Sequence, residues 1–180
     1  VTADQRRIAK TANFGILYGI SAFGLSQRLH IGRAEAKKII EDYFSNFPAI
    51  SSYIEDTLAS AREFGYVETL FGRRRYLPDI NSRNATVRAL AERTAINAPI
   101  QGTSADIIKL AMVNVDRRIA EEDLQSRMVL QIHDELLFDA LPEEVEKLER
   151  IVREEMENVI ELSIPLTVEC NYGNNWLEAH

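Results

Sequence analysis

Four side chains recur at intervals of four near the start of this 180-residue sequence: Arg6, Lys10, Phe14 and Tyr18. In a helix a step of four drifts by only about 40°, so they make one slanted stripe in which two cations lead into two aromatic rings. Arg7 and Thr11 flank it. Cations suit a polyanion and rings suit a flat group; a nucleoside triphosphate offers both. A second cluster, His133-Asp134-Glu135, stands far along the chain between apolar runs. Two carboxylates at the tip of a sheet are oxygen donors suited to a hard divalent cation. Each cluster also has a plainer reading. The stripe is then the solvated edge of an amphipathic helix, and His133-Asp134-Glu135 an ordinary acidic turn. Large rings turned away from a core call for a partner, which brings the two readings of the stripe level. For the hairpin taken alone the plain turn is the stronger reading.

Two further groups could meet nucleic acid. Arg93, Asn97 and Gln101 are again spaced by four and offer one cation and two amides. Such groups reach the acceptors that every base pair shows in the minor groove, and a polar helix edge explains them equally well. Arg73, Arg74 and Arg75 follow a Phe-Gly pair in a tight turn. They either keep the turn in water or contact a phosphate backbone; the scarcity of carboxylates near enough to pair with them favours the second.

The elements that must position these groups can be read from periodicity. Residues 2–19 make a helix, with Thr2 and Gln5 as a capping box and Ile8, Ala9, Ala12 and Ile16 inward. Residues 20–30 make a turn and a short helix, and residues 33–46 another helix. Pro48 opens a further helix that Gly65 ends. Residues 66–70 and 75–77 alternate as strands of a hairpin. Residues 84–122 are mostly helical, with Ala89, Leu90, Ala95 and Ile96 inward, and Pro99 and Gly102 are expected to kink or break them. Residues 128–132 and 136–138 form a second hairpin, residues 142–160 an acidic helix, and residues 166–170 a last strand that joins it.

Composition bounds the rest. Hydrophobic residues make up 46% and charged residues 27%, ordinary for a folded globular chain. No apolar run is long enough to cross a bilayer. The single cysteine, Cys170, allows no internal disulfide and suits a reducing cytoplasm. The net charge of −7 hides a split. Residues 1–120 hold 17 Lys+Arg against 12 Asp+Glu, and residues 121–180 hold 4 against 16. A basic first part can meet phosphates while an acidic tail faces water. The absence of an initiator Met and the start beside a helix cap fit a stretch of a longer protein.

The pattern Arg6-x3-Lys10-x3-Phe14-x3-Tyr18-Gly19 resembles motif B of the family A DNA polymerases, the bacterial DNA polymerase I group. Gln131-Ile132-His133-Asp134-Glu135 resembles that family's motif C. GYVETLFGRRRYLPDI and AERTAINAPIQGTSADIIKLAM are similar to family segments in the same order. The resemblance covers essentially the whole chain. It implies an α+β, mostly helical fold, with residues 1–83 as part of the fingers and residues 84–180 as part of the palm. The palm portion would hold a small antiparallel sheet of the motif C hairpin and the last strand.

The resemblance also implies roles. The activity would be that of a DNA-directed DNA polymerase, with dNTP and primer-template DNA as partners and two Mg²⁺ ions as cofactors. Arg6 and Lys10 would grip the triphosphate, with Lys10 also protonating the leaving pyrophosphate. Phe14 would pack on sugar and base, a phenylalanine there implying discrimination against dideoxynucleotides, and Tyr18 would sit by the template base. Arg7 and Thr11 would lie near template or nucleotide. Arg93, Asn97, Gln101, Gln131 and His133 would follow the primer-template, and Arg73, Arg74 and Arg75 its backbone. Asp134 would bind metal with Glu135 in support. The family's other metal-binding aspartate is not among residues 1–180, so this stretch alone is expected to be inactive and to self-associate through uncovered palm surface. The parent is expected to be a bacterial cytoplasmic, nucleoid-associated monomer. A single-subunit RNA polymerase and a non-catalytic DNA-binding module are the alternatives; Phe14 and the Asp134-Glu135 pair favour the DNA enzyme.

Overall fold

The computed structural model describes residues 2–179, Ala3 and Asp4 by their backbone alone. The fold is α+β and mostly helical. In chain order it comprises α1 (Ala3–Leu17), α2 (Ala22–Leu29), α3 (Arg33–Asn46), α4 (Pro48–Phe64), β1 (Tyr66–Glu68), β2 (Arg74–Tyr76) and α5 (Ala85–Glu121). β3 (Arg127–Ile132), β4 (Glu135–Asp139), a 3-10 turn (Pro142–Glu144), α6 (Val145–Glu157) and α7 (Trp176–Ala179) follow. Residues 1–102 and 103–180 form two compact units, and the division falls within α5.

In the first unit the helix ends follow their capping chemistry. Thr2 Oγ1 accepts from the Gln5 N–H at 3.2 Å, and Gln5 Oε1 accepts from the Thr2 N–H at 2.9 Å. This capping box satisfies donors that α1 leaves unpaired. Pro48 sits in the first turn of α4, and Gly65 ends it with φ +75°, a conformation that glycine adopts without a Cβ clash. Leu25, Leu29 and Ala36 are buried where α2 meets α3, with Ala12 of α1 packed against them. A second core joins Ala61, Val67, Leu77, Ile80, Ala91 and Ala95.

Several inward positions expected from the sequence lie elsewhere. Ile16 is buried, but Ile8 and Ala9 are exposed, Ile8 by 40%. Helical periodicity gives the direction of an apolar side and not whether anything covers it. On α5, Ala91, Ala95 and Ile96 are buried whereas Ala89 and Leu90 face out.

Pro99 and Gly102 do not break α5, which runs unbroken for 37 residues. A proline inside a helix removes one backbone donor and costs about 3 kcal/mol, which burial of the neighbouring Ala91, Ala95 and Ile96 offsets. Gly102 has a tertiary reason. A Cβ there would stand 2.6 Å from Thr69 Cγ2. The β1–β2 hairpin is thus pressed against α5, and Arg73 Nη2 donates to the Gly102 carbonyl at 3.0 Å. Thr69 cannot easily turn aside, because its Oγ1 accepts from the Phe71 and Arg73 N–H groups, each at 3.2 Å.

In the second unit the β3–β4 hairpin packs Met128 and Phe138 against Val115, Ile119, Leu148 and Val152 of α5 and α6. Arg118 on α5 joins these helices by reaching Glu122 and Glu155, both at 2.8 Å. The root of the hairpin is clasped by Glu144. Its carboxylate accepts from the Gln125 N–H at 3.0 Å, the Ser126 N–H at 2.8 Å and the Ser126 hydroxyl at 2.6 Å. Ser126 Oγ in turn accepts from the Leu141 N–H at 3.1 Å, so both ends of the hairpin are tied. The hydrogen bond from Gln125, then that from Ser126, holds the Glu144 carboxyl below the usual glutamate range.

The expected last strand at 166–170 does not form; the β3–β4 sheet has two strands. The alternating pattern is present, but the backbone of Val168 is bound by helix side chains instead. Its N–H donates to Glu157 Oε1 at 2.9 Å and its carbonyl accepts from Arg153.

Two outcomes test these contacts in the purified chain. Gly102→Ala gains helix propensity of about 1 kcal/mol but overpacks Thr69, typically costing 1–3 kcal/mol. Urea unfolding should show a net loss that Thr69→Ser, which keeps the hydroxyl and removes Cγ2, restores. Glu144 has a lowered folded pKa, so its contribution is present above the ordinary glutamate value and lost as pH falls through the folded one. The stability gap between wild type and Glu144→Gln should be flat above about pH 6 and close below about pH 4.

Candidate functional site

In the first unit α1 presents the stripe as spaced. Arg6 and Lys10 are exposed, and among the described residues neither has an ion-pair partner. Phe14 is 47% exposed. Its ring lies 6.3 Å from that of the half-buried Tyr18, with planes 26° apart, so the two rings extend one another. Tyr18 is the C-cap residue and its N–H donates to the Phe14 carbonyl at 3.1 Å. Arg7 is exposed and Thr11 half-buried beside the stripe. From the other side Tyr43 of α3 holds α1 by donating from its hydroxyl to Asn13 Oδ1 at 2.7 Å.

The end of this stripe meets the second one. Gly19 follows Tyr18 with φ +72°, and a Cβ there would lie 3.4 Å from Cγ of Arg93. The Arg93 stem therefore lies under the turn that ends α1. Arg93 and Gln101 are exposed, and Asn97 between them is half-buried. The Asn97 Oδ1 is buried without a hydrogen-bond partner in the protein.

The three arginines divide. Arg73 is spent on the Gly102 carbonyl. Arg74 pairs with Glu68 at 2.7 Å and lies over the Tyr66 ring at 4.4 Å. Arg75, opposite Val67 in the register, is exposed and has no ion pair among the described residues. As a phosphate contact Arg75 is the least committed of the three.

In the second unit the pairing Ile132↔Glu135 makes the turn two residues, His133 and Asp134. Glu135 thus opens β4 instead of sitting in the turn. Both carboxylate residues are exposed at the tip, a site in water and not the buried sheet end that the flanking apolar residues suggest. His133 has φ +53°, a left-handed backbone that costs a non-glycine residue of order 1–3 kcal/mol and recurs at functional sites. Gln131 Nε2 donates to the His133 carbonyl at 2.8 Å, closing over the turn. The exposed oxygen donors of Asp134 and Glu135 fit a hard cation such as Mg²⁺ in kind. Among the described residues no group of three or more His, Cys, Asp or Glu could hold a metal ion.

Sequence reasoning missed Thr69, Ser126 and Glu144, which position the two hairpins. Their signal lies in contacts between distant segments, which local pattern does not carry.

The family model of DNA polymerase family A matches residues 1–178. DNA polymerase I of Geobacillus stearothermophilus is 54% identical over 179 residues, covering 99% of this chain and 20% of that protein. DNA polymerase I of Pseudomonas aeruginosa is 51% identical over 180 residues, 100% of this chain and 20% of that protein. The chain spans about a fifth of the length of these curated relatives. A solved structure, the POL domain of Pol1 from M. smegmatis in complex with DNA primer-template and dNTP, matches with a TM-score of 0.97 at 49% identity. The match covers 99% of this chain and 32% of that one. On sequence and structure alike, the chain belongs to DNA polymerase family A.

Proposed function

We propose that the chain supplies the nucleotide-gripping helix and the motif C hairpin of a DNA-directed DNA polymerase, which joins a dNTP to a primer 3′-hydroxyl under the direction of a template. The observation that carries this reading is the stripe of exposed Arg6, Lys10 and Phe14 running into half-buried Tyr18 on a capped helix, in a chain of this family. Residues 1–83 are assigned to the fingers and residues 84–180 to the palm. The likeness to a domain complexed with primer-template and dNTP supports both partners. The bacterial relatives support a bacterial setting, and no helix among the described residues is long and apolar enough to cross a membrane. We place the parent at the nucleoid as a monomer.

The residues divide the work. Arg6 and Lys10 neutralise the triphosphate where charge builds during transfer. Lys10 gives a proton to the pyrophosphate oxygen as the bond to the α-phosphorus breaks. Phe14 packs against sugar and base, and Tyr18 limits the space beside the template base. Phe14 sits on α1 and Tyr18 caps it, so seating the nucleotide and moving the helix are coupled. Arg93, Asn97, Gln101 and His133 test the minor groove for pair geometry, their N–H groups donating to the acceptors that every base pair shows there. Arg7, Thr11 and Arg75 steady the strands. Asp134, with Glu135 beside it, would hold Mg²⁺, together with an aspartate outside residues 1–180. Two such ions, when bound, activate the hydroxyl and stabilise the leaving group.

A chimera tests this: residues 1–180 in place of the matching fifth of the Geobacillus stearothermophilus enzyme. It should extend a primer with dNTPs. Lys10→Ala should lower kcat by roughly 100-fold or more, and Asp134→Ala should abolish extension. The 180 residues alone should give no templated product above their own Asp134→Ala variant. A folded chimera that does not extend primers, or Lys10→Ala extending at the parental rate, would sink the reading.

A further inference from the structure

We propose that Gln131 is a positioning residue for Asp134: its side-chain amide holds the left-handed turn that aims the carboxylate. The inference rests on the polymerase reading only for its kinetic consequence; the geometry stands without it.

The turn between β3 and β4 has two residues, and its first, His133, has φ +53°. Glycine or asparagine fills such a position without strain; histidine needs the surroundings to hold it there. Within the hairpin one side chain does so, Gln131, whose Nε2 donates to the His133 carbonyl at 2.8 Å. That carbonyl belongs to the peptide joining His133 to Asp134. Fixing its direction fixes the rotation of this peptide plane, and with it the direction in which the Asp134 side chain leaves the backbone. The Asp134 carboxylate is exposed and has no hydrogen bond or ion pair among the described residues. What the hairpin itself fixes is the direction in which the Asp134 Cα–Cβ bond leaves the chain, and Gln131 holds the peptide plane on which that direction depends.

A residue that used its amide to read DNA would act on DNA affinity. A residue whose amide is committed to the turn acts on the metal-binding carboxylate instead. Gln131→Met keeps length and bulk and removes the donor, which separates the two.

Two measurements decide. In the 180-residue chain, amide hydrogen exchange is followed at Ile132 and Glu135, the pair that closes the turn, with Met128 at the hairpin root as the internal reference. Gln131→Met should speed exchange at the closing pair by about fivefold, the factor carried by a hydrogen bond of ordinary net strength, and leave Met128 unchanged. In the chimera, Gln131→Met should raise the Mg²⁺ concentration for half-maximal extension by a similar factor and leave the primer-template Kd within about twofold. Unchanged exchange at Ile132 and Glu135 overturns the proposal, and so does a weakened primer-template Kd with unaltered Mg²⁺ dependence. If the unsubstituted chimera is inactive, the polymerase reading falls, and the exchange measurement still decides whether Gln131 holds the turn.

Discussion

α5 stays helical through a proline, and its turns carry core residues of each compact unit. Ala91, Ala95 and Ile96 on its earlier turns are buried in the first unit, and Val115 and Ile119 on its later turns belong to the core of the second. A break at Pro99 would free the turns that carry Arg93, Asn97 and Gln101 from the packing that holds them. The β1–β2 hairpin adds a clamp on the same stretch. Arg73 binds the Gly102 carbonyl, and Thr69 fills the space that a side chain at 102 would take.

The candidate groups show two ways of presenting charge. Arg6 and Lys10 stand on a long, capped helix, where spacing alone keeps them in line. Asp134 stands on a two-residue turn whose backbone is strained and clasped. Helical presentation tolerates substitution of neighbours, because each side chain's direction follows from the helix itself. The turn has no such redundancy, since a change of one dihedral redirects the carboxylate.

The stripe on α1 was legible because it depends only on residue type and a period. The same period placed Ile8 and Ala9 inward, where the structure leaves them exposed, because a period cannot tell whether a partner exists. Gly102 was read as a helix breaker from its intrinsic preference, whereas its reason is Thr69, 33 positions earlier in the chain. The alternation at 166–170 was that of a strand. A strand needs a neighbour's backbone, and here Arg153 and Glu157 bind the Val168 backbone groups first. At Asp134 spacing leaves the plain turn as the stronger reading and a metal role is only what the family motif implies, since a short acidic turn has no distinguishing physical signature of its own.

The charges of α1 sit at an unfavourable end of their helix. Arg6 and Arg7 lie just past its first turn and Lys10 at its midpoint, and the last turn has no basic residue. The helix dipole is positive at that end and its effect falls off within about one turn, so Arg6 and Arg7 forgo at most a few tenths of a kcal/mol at low ionic strength. An anion placed beside these cations would interact favourably with the side chains and the backbone dipole together.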